Sequence, residues 1–153
     1  MFLSKSLSTL LLFMHICGLA LFARKWIRAT KAQNNNASIF LLQKNRVGTR
    51  FNPEYIAYTM FLSNFIGIAF ARTLHYQFYS WYFHAIPFLM WSTNLPFVLK
   101  VILFFAIEFA FNVFPATALS SIVLQVSHTV ILLSLYFAKV PSMILPSEKC
   151  KKS

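Results

Sequence analysis

The sequence predicts an all-α, polytopic transmembrane helical bundle with about five spans, forming one membrane region over residues 1–153. Three observations carry that expectation. Hydrophobic residues make up 58% of the chain and only three residues are acidic, too few charges to cover a water-soluble surface. The apolar residues gather into long runs with no strand-like alternation. The fourteen lysines and arginines fall between those runs or near their ends, so the net charge of +11 reads as membrane topology and not as a nucleic-acid-binding face.

The first run, residues 7–23, has about the length needed to cross a hydrocarbon core of roughly 30 Å at a rise of about 1.5 Å per residue. Lys5 ahead of it and small residues near its end also fit a signal peptide, whereas the basic cluster that follows at once fits a retained span. Residues 24–54 form one long polar stretch in which Gln33, three asparagines, Gly48 and Pro53 interrupt helical periodicity, so a loop is expected there. A second span is predicted over 55–71. The aromatic segment 72–83 then breaks the apolar pattern, and a third span over 82–95 is short enough to be re-entrant. Pro96 opens a fourth span, 97–114, and Pro115 closes it, because proline is tolerated at a helix start and disfavoured inside. The fifth span covers 118–138, and a polar tail covers 139–153. No repeat of fixed period and no glycine-rich phosphate loop is present. Cys17 and Cys150 have neither the spacing of metal ligands nor that of a disulfide framework, and no metal or cofactor is expected.

Counting charges orients the bundle, since lysine and arginine accumulate in cytosolic loops. With 24–54 in the cytosol, alternation through the spans puts Lys100 and the tail there too, and twelve of the fourteen basic residues lie inside. Lys5 and Arg72 face the opposite, lumenal side. The sequon Asn36-Ala37-Ser38 then never meets a lumenal transferase and is expected to stay unmodified. Lys149 and Lys151, fifth and third from the C-terminus, look like a dilysine retrieval signal, which predicts a multi-pass protein of the endoplasmic reticulum membrane with a cytosolic C-terminus.

Arg72 is the residue this topology makes unusual. A guanidinium binds phosphate bidentately, and His75, Tyr76 and Gln77 follow within one turn, with Trp81, Tyr82 and His84 beyond. The patch has two readings, a phosphate- and sugar-binding site or an interfacial aromatic belt with one snorkelling arginine. Glu108, placed near the middle of the fourth span with Asn112 one turn on, is either a proton or substrate site or a polar bond between helices. His15 and His128 are expected to be buried and hydrogen-bonded.

The segment SNFIGIAFARTLHYQFYSWYFHAIPFLMW, Ser63 to Trp91, resembles the C-terminal part of the dolichyl-phosphate-mannose-dependent α-1,3-mannosyltransferases of lipid-linked oligosaccharide assembly, with LHYQFYSWYFH as its specific core. The stretch AIEFAFNVFPAT, Ala106 to Thr117, and the lysine-ended tail are similar as well. The resemblance implies the C-terminal part of a GT-C glycosyltransferase. Its donor would be dolichyl phosphate mannose and its acceptor the dolichol-linked Man(5)GlcNAc(2) oligosaccharide.

It also implies that Arg72, His75, Tyr76, Gln77, Trp81 and His84 border the donor cavity. An inverting transfer needs a carboxylate to deprotonate the acceptor hydroxyl. The chain has no aspartate, and the topology puts Glu54, Glu108 and Glu148 away from the lumen, so the catalytic residue is left unassigned and a C-terminal fragment or short isoform is expected. A non-catalytic membrane adaptor or lipid-binding subunit of a larger transferase is the alternative.

Overall fold

The computed structural model describes residues 5–41, 52–71 and 76–143. They form six helices and no strand: α1 (Lys5–Leu41), α2 (Pro53–Ala69), α3 (Tyr76–Tyr82), α4 (Ala85–Trp91), α5 (Phe97–Asn112) and α6 (Ala118–Phe137). The all-α class is as expected. Two of these helices, α1 over Lys5–Ala32 and α6, are long and apolar enough to cross a membrane, where the sequence pattern suggested five spans. At 17 and 16 residues, α2 and α5 are each about 25 Å long, a little short of a full hydrocarbon core.

Local chemistry sets several of the helix ends. Asn52 caps α2, its Oδ1 accepting from the Glu54 amide at 3.0 Å, and Pro53 takes the first helical position, where its missing N–H costs nothing. Pro96 precedes α5, whose helix begins at Phe97. Thr117 and Ser120 form a reciprocal capping box at the start of α6.

Two expectations need correction. The stretch 24–54 is not a loop throughout, because α1 continues to Leu41. Its lysines, arginines and alanines are good helix formers, each asparagine costs only a fraction of a kcal/mol, and Gly48 and Pro53 lie beyond the helix. Packing adds to this: Phe22 is buried, and Trp26 and Ala29 lean on the same core. The third span, 82–95, is likewise not one helix. A turn at Phe83–His84 separates α3 from α4. Pro87 is the cause, since in a continuous helix it could not donate to the Phe83 carbonyl and its ring would press on it. That carbonyl instead accepts from the Ile86 amide at 3.2 Å.

The centre of the bundle is α2, which touches α1, α3, α4 and α6. Tyr58, Leu62, Phe65 and Ile66 of α2 are fully buried with Tyr82, Ile86, Leu89, Ile107, Ile131 and Leu135. By contrast α1 exposes Leu10, Leu12, Phe13 and Ile16 along most of its apolar run. It packs on α2 through one narrow stripe in which glycines admit close approach. A Cβ at Gly18 would stand 3.2 Å from Phe70 Cε2 and 3.3 Å from Ile66 Cγ2, while one at Gly67 would meet only His15, its Nε2 at 3.7 Å. The two glycines should therefore respond with opposite sign. Gly18→Leu is expected to destabilise by about 1–3 kcal/mol through overpacking, and Gly67→Ala to stabilise by up to about 1 kcal/mol through helix propensity. Thermal unfolding in detergent checks both, and an undiminished stability in Gly18→Leu would show that α1 does not pack on α2 in this register.

Candidate functional site

The short helix α3 continues the segment that the sequence singled out. Residues three and four apart share a helix face, so Tyr79, Tyr82 and Phe83 point one way and Trp81 and His84 another. The inward face is an aromatic seam. Tyr82 is fully buried against Phe65 of α2 and Phe111 of α5, with ring centroids at 6.0 and 6.1 Å. Its hydroxyl meets His128 Nε2 of α6 at 3.0 Å, and the His128 ring stands edge-on to Phe65. Tyr79 stacks beside Phe111 at 4.8 Å and Phe83 at 4.6 Å, and Phe83 continues the seam to Phe104. Three helices thus clamp α3 through rings, which fixes the direction in which its other face points.

That other face carries Trp81, 60% exposed, and His84, also exposed. The amide of Asn64 in α2 donates to the Trp81 carbonyl at 3.4 Å, and the His84 ring rests edge-on against Phe61 at 5.6 Å. Arg72 and His75 lie outside the described residues. Tyr76 and Gln77 open α3, and their side chains lie outside the described residues too. The structure therefore brings Trp81 and His84 together on one outward face directly after the Arg72–Gln77 segment.

Glu108 stands differently from its sequence-based placement near mid-span. It is half-buried one turn before the end of α5, and Asn112, the last residue of that helix, donates to the Glu108 backbone carbonyl at 2.8 Å instead of to its carboxylate. Burial pushes the Tyr79 phenol above its ordinary range, and the negative charge of Glu108 pushes it further. His128 is buried and hydrogen-bonded, as expected for a structural histidine. Sequence reasoning missed its partner, Tyr82, which lies 46 residues away along the chain.

The model of the ALG3 protein family matches residues 1–121. The chain belongs to the ALG3 protein family. The match covers all of α1 to α5, including the aromatic seam and both exposed rings. Among curated ALG3-type relatives, a probable Dol-P-Man:Man(5)GlcNAc(2)-PP-Dol alpha-1,3-mannosyltransferase of Dictyostelium discoideum is 39% identical over 90% of this chain and 30% of its own length. The enzymes of that name from Arabidopsis thaliana and Homo sapiens are each 38% identical, over 90% and 92% of this chain and 34% and 33% of their own lengths. The chain spans about a third of the length of these relatives. No solved structure matches it.

Proposed function

We propose that this ALG3-family chain supplies donor-binding membrane helices for the transfer of mannose, in α-1,3 linkage, from dolichyl phosphate mannose to the dolichol-linked Man(5)GlcNAc(2) oligosaccharide. One observation carries the proposal: relatives named for that reaction are 38–39% identical to the chain over at least 90% of its residues. The Arg72–Gln77 segment and the outward Trp81 and His84 would take the donor, arginine and histidine holding the phosphate and the rings flanking mannose. As phosphate departs, charge builds on its oxygens, and fixed cations there lower the barrier.

The bundle would sit in the endoplasmic reticulum membrane as part of a GT-C transferase, with 24–54 and 139–153 in the cytosol. Support for that orientation comes from the ends of the helices. Lys25 Nζ donates to the carbonyls of Leu135 and Ala138, and the Asn52 amide donates to Met143 O at 2.9 Å. Residue 25 of α1, the start of α2 and the end of α6 therefore lie at one end of the bundle. Alternating spans with an inside-positive loop require that grouping. Helices α2 and α5 and the broken pair α3–α4 would complete the set of five spans, their short lengths matched by local thinning or flanking residues.

Complementation tests the proposal. The chain is expressed in cells lacking the α-1,3-mannosyltransferase, alone and joined to the part of a relative that it does not cover, and dolichol-linked glycans are analysed. Extension beyond Man(5) by the joined form is the expected result. Failure of the joined form, with the protein present in the membrane, would sink the proposal and favour the adaptor reading.

A further inference from the structure

At the other end of the bundle from the aromatic seam, α1 and α6 flank an open cavity of about 310 Å³ lined by Leu21, Arg24, Lys25, Arg28 and Tyr136. The four α1 residues follow the i, i+3, i+4, i+7 spacing of a single helix stripe, and Tyr136 is the penultimate residue of α6. Lys25 is half-buried and engaged: its ammonium donates to Leu135 O at 2.7 Å and to Ala138 O, and lies 5.8 Å from the centre of the Tyr136 ring. The first of these carbonyls belongs to the last turn of α6 and the second to its C-cap, where the negative dipole end would otherwise repel an anion. Lys25 cancels that field at the floor of the cavity.

Arg24 and Arg28 form its rim. Both are exposed, they repel one another across a single turn, and among the described residues no carboxylate pairs with either. Two forked guanidiniums over a neutralised floor match a phosphate group. On the other side of the rim, Leu21, Met14 and Leu10 are exposed and continue its stripe along the apolar run of α1. The arrangement is cationic where α1 leaves its apolar run and oily beside it, which suits one amphiphile.

We propose that this cavity binds the phosphodiester headgroup of an anionic phospholipid, its acyl chains lying along the exposed apolar face of α1. A zwitterionic headgroup is disfavoured, because two guanidiniums and no acid in the lining leave its ammonium without a partner. A lipid seated here bridges α1 and α6 beside the Lys25 tie. Lipid binding at this end of the bundle is independent of whether the chain takes part in mannose transfer.

The test uses the whole chain reconstituted in vesicles of equimolar phosphatidylinositol and phosphatidylcholine, extracted in mild detergent, with retained lipid counted by native mass spectrometry. Phosphatidylinositol is expected to be retained over phosphatidylcholine by about tenfold or more, since each basic residue near the headgroup contributes about 1 kcal/mol, or roughly fivefold. The double variant Arg24→Gln/Arg28→Gln should abolish the preference. Lys5→Gln/Lys100→Gln, which removes equal charge elsewhere, should leave it intact. Both arginines are exposed, so the first variant keeps the core. Equal loss in both double variants would reduce the effect to net charge and overturn the proposal. Displacement of the lipid by soluble inositol phosphate at the same concentration would overturn it as well, by showing that the site takes free phosphate without the acyl chains.

Discussion

Replacing Arg72 with alanine in the complete enzyme, this chain joined to the remainder of a relative, is expected to lower mannose transfer by about 10²–10³ while leaving the amount of protein nearly unchanged. The magnitude is that of removing one fixed donor from a site where negative charge develops in the transition state. On the proposed topology an arginine at the lumenal end of a span would gain nothing from the inside-positive rule, and another interaction would be needed to repay its desolvation. Under the proposed function a departing dolichyl phosphate would supply that interaction, because its oxygens accept the two parallel N–H groups of a guanidinium. Arg72→Lys separates charge from geometry. Lysine keeps the cation and loses the fork, so partial activity, between wild type and Arg72→Ala, is expected. The readout is transfer from dolichyl phosphate mannose in membranes, normalised to immunoblotted protein. Full transfer by Arg72→Ala would leave the segment as an interfacial belt, and loss of activity in proportion to lost protein would make the arginine structural.

How much of this was legible in the sequence depended on whether the signal was local. Pro96 lies just ahead of α5, and its effect is confined to its own backbone. The turn at Phe83–His84 also had a local cause in Pro87, one turn downstream, but the apolar residues around it hid the break. The extension of α1 to Leu41 was not legible in the same way. Polar composition lowered the expectation of a helix, whereas Phe22 and Trp26 packed on the core and Lys25 bound to the end of α6 hold at least its middle turns in place, and those contacts are tertiary. Glu108 shows the same limit. Its position in an apolar run suggested mid-span, and only the meeting of Tyr79 with Phe111 brings the α3–α5 seam to it. At the candidate site, residue types pointed to phosphate and sugar chemistry, but which rings face inward followed from the packing of α3 against three other helices.

Those inward rings carry the second large effect. Tyr82→Ala is expected to destabilise the bundle by about 3–5 kcal/mol, the range for deleting a buried aromatic ring. The residue is fully buried, and its ring fills the space among Phe65, Phe111 and His128, so the backbone cannot collapse into the cavity without moving three helices. Tyr82→Phe should cost far less, roughly 0.6 kcal/mol and at most about 2, the scale of hydrogen bonds between membrane helices. It keeps the ring and removes only the 3.0 Å bond to His128. The upper part of that range applies if His128, whose Nδ1 already lacks a partner, is left with neither nitrogen satisfied. The double variant Tyr82→Phe/His128→Leu should then recover stability relative to the sum of the single changes, because two apolar groups of similar shape leave no orphaned polar atom. Thermal unfolding of these variants decides whether ring packing or the polar bond dominates: Tyr82→Phe as damaging as Tyr82→Ala would put the polar bond first. Transfer assays on Tyr82→Phe separate scaffold from site. A variant that is stable yet transfers mannose slowly would move the Tyr82–His128 pair out of the scaffold and into the donor site, so the pair would have to be reached by substrate through the outward face of α3.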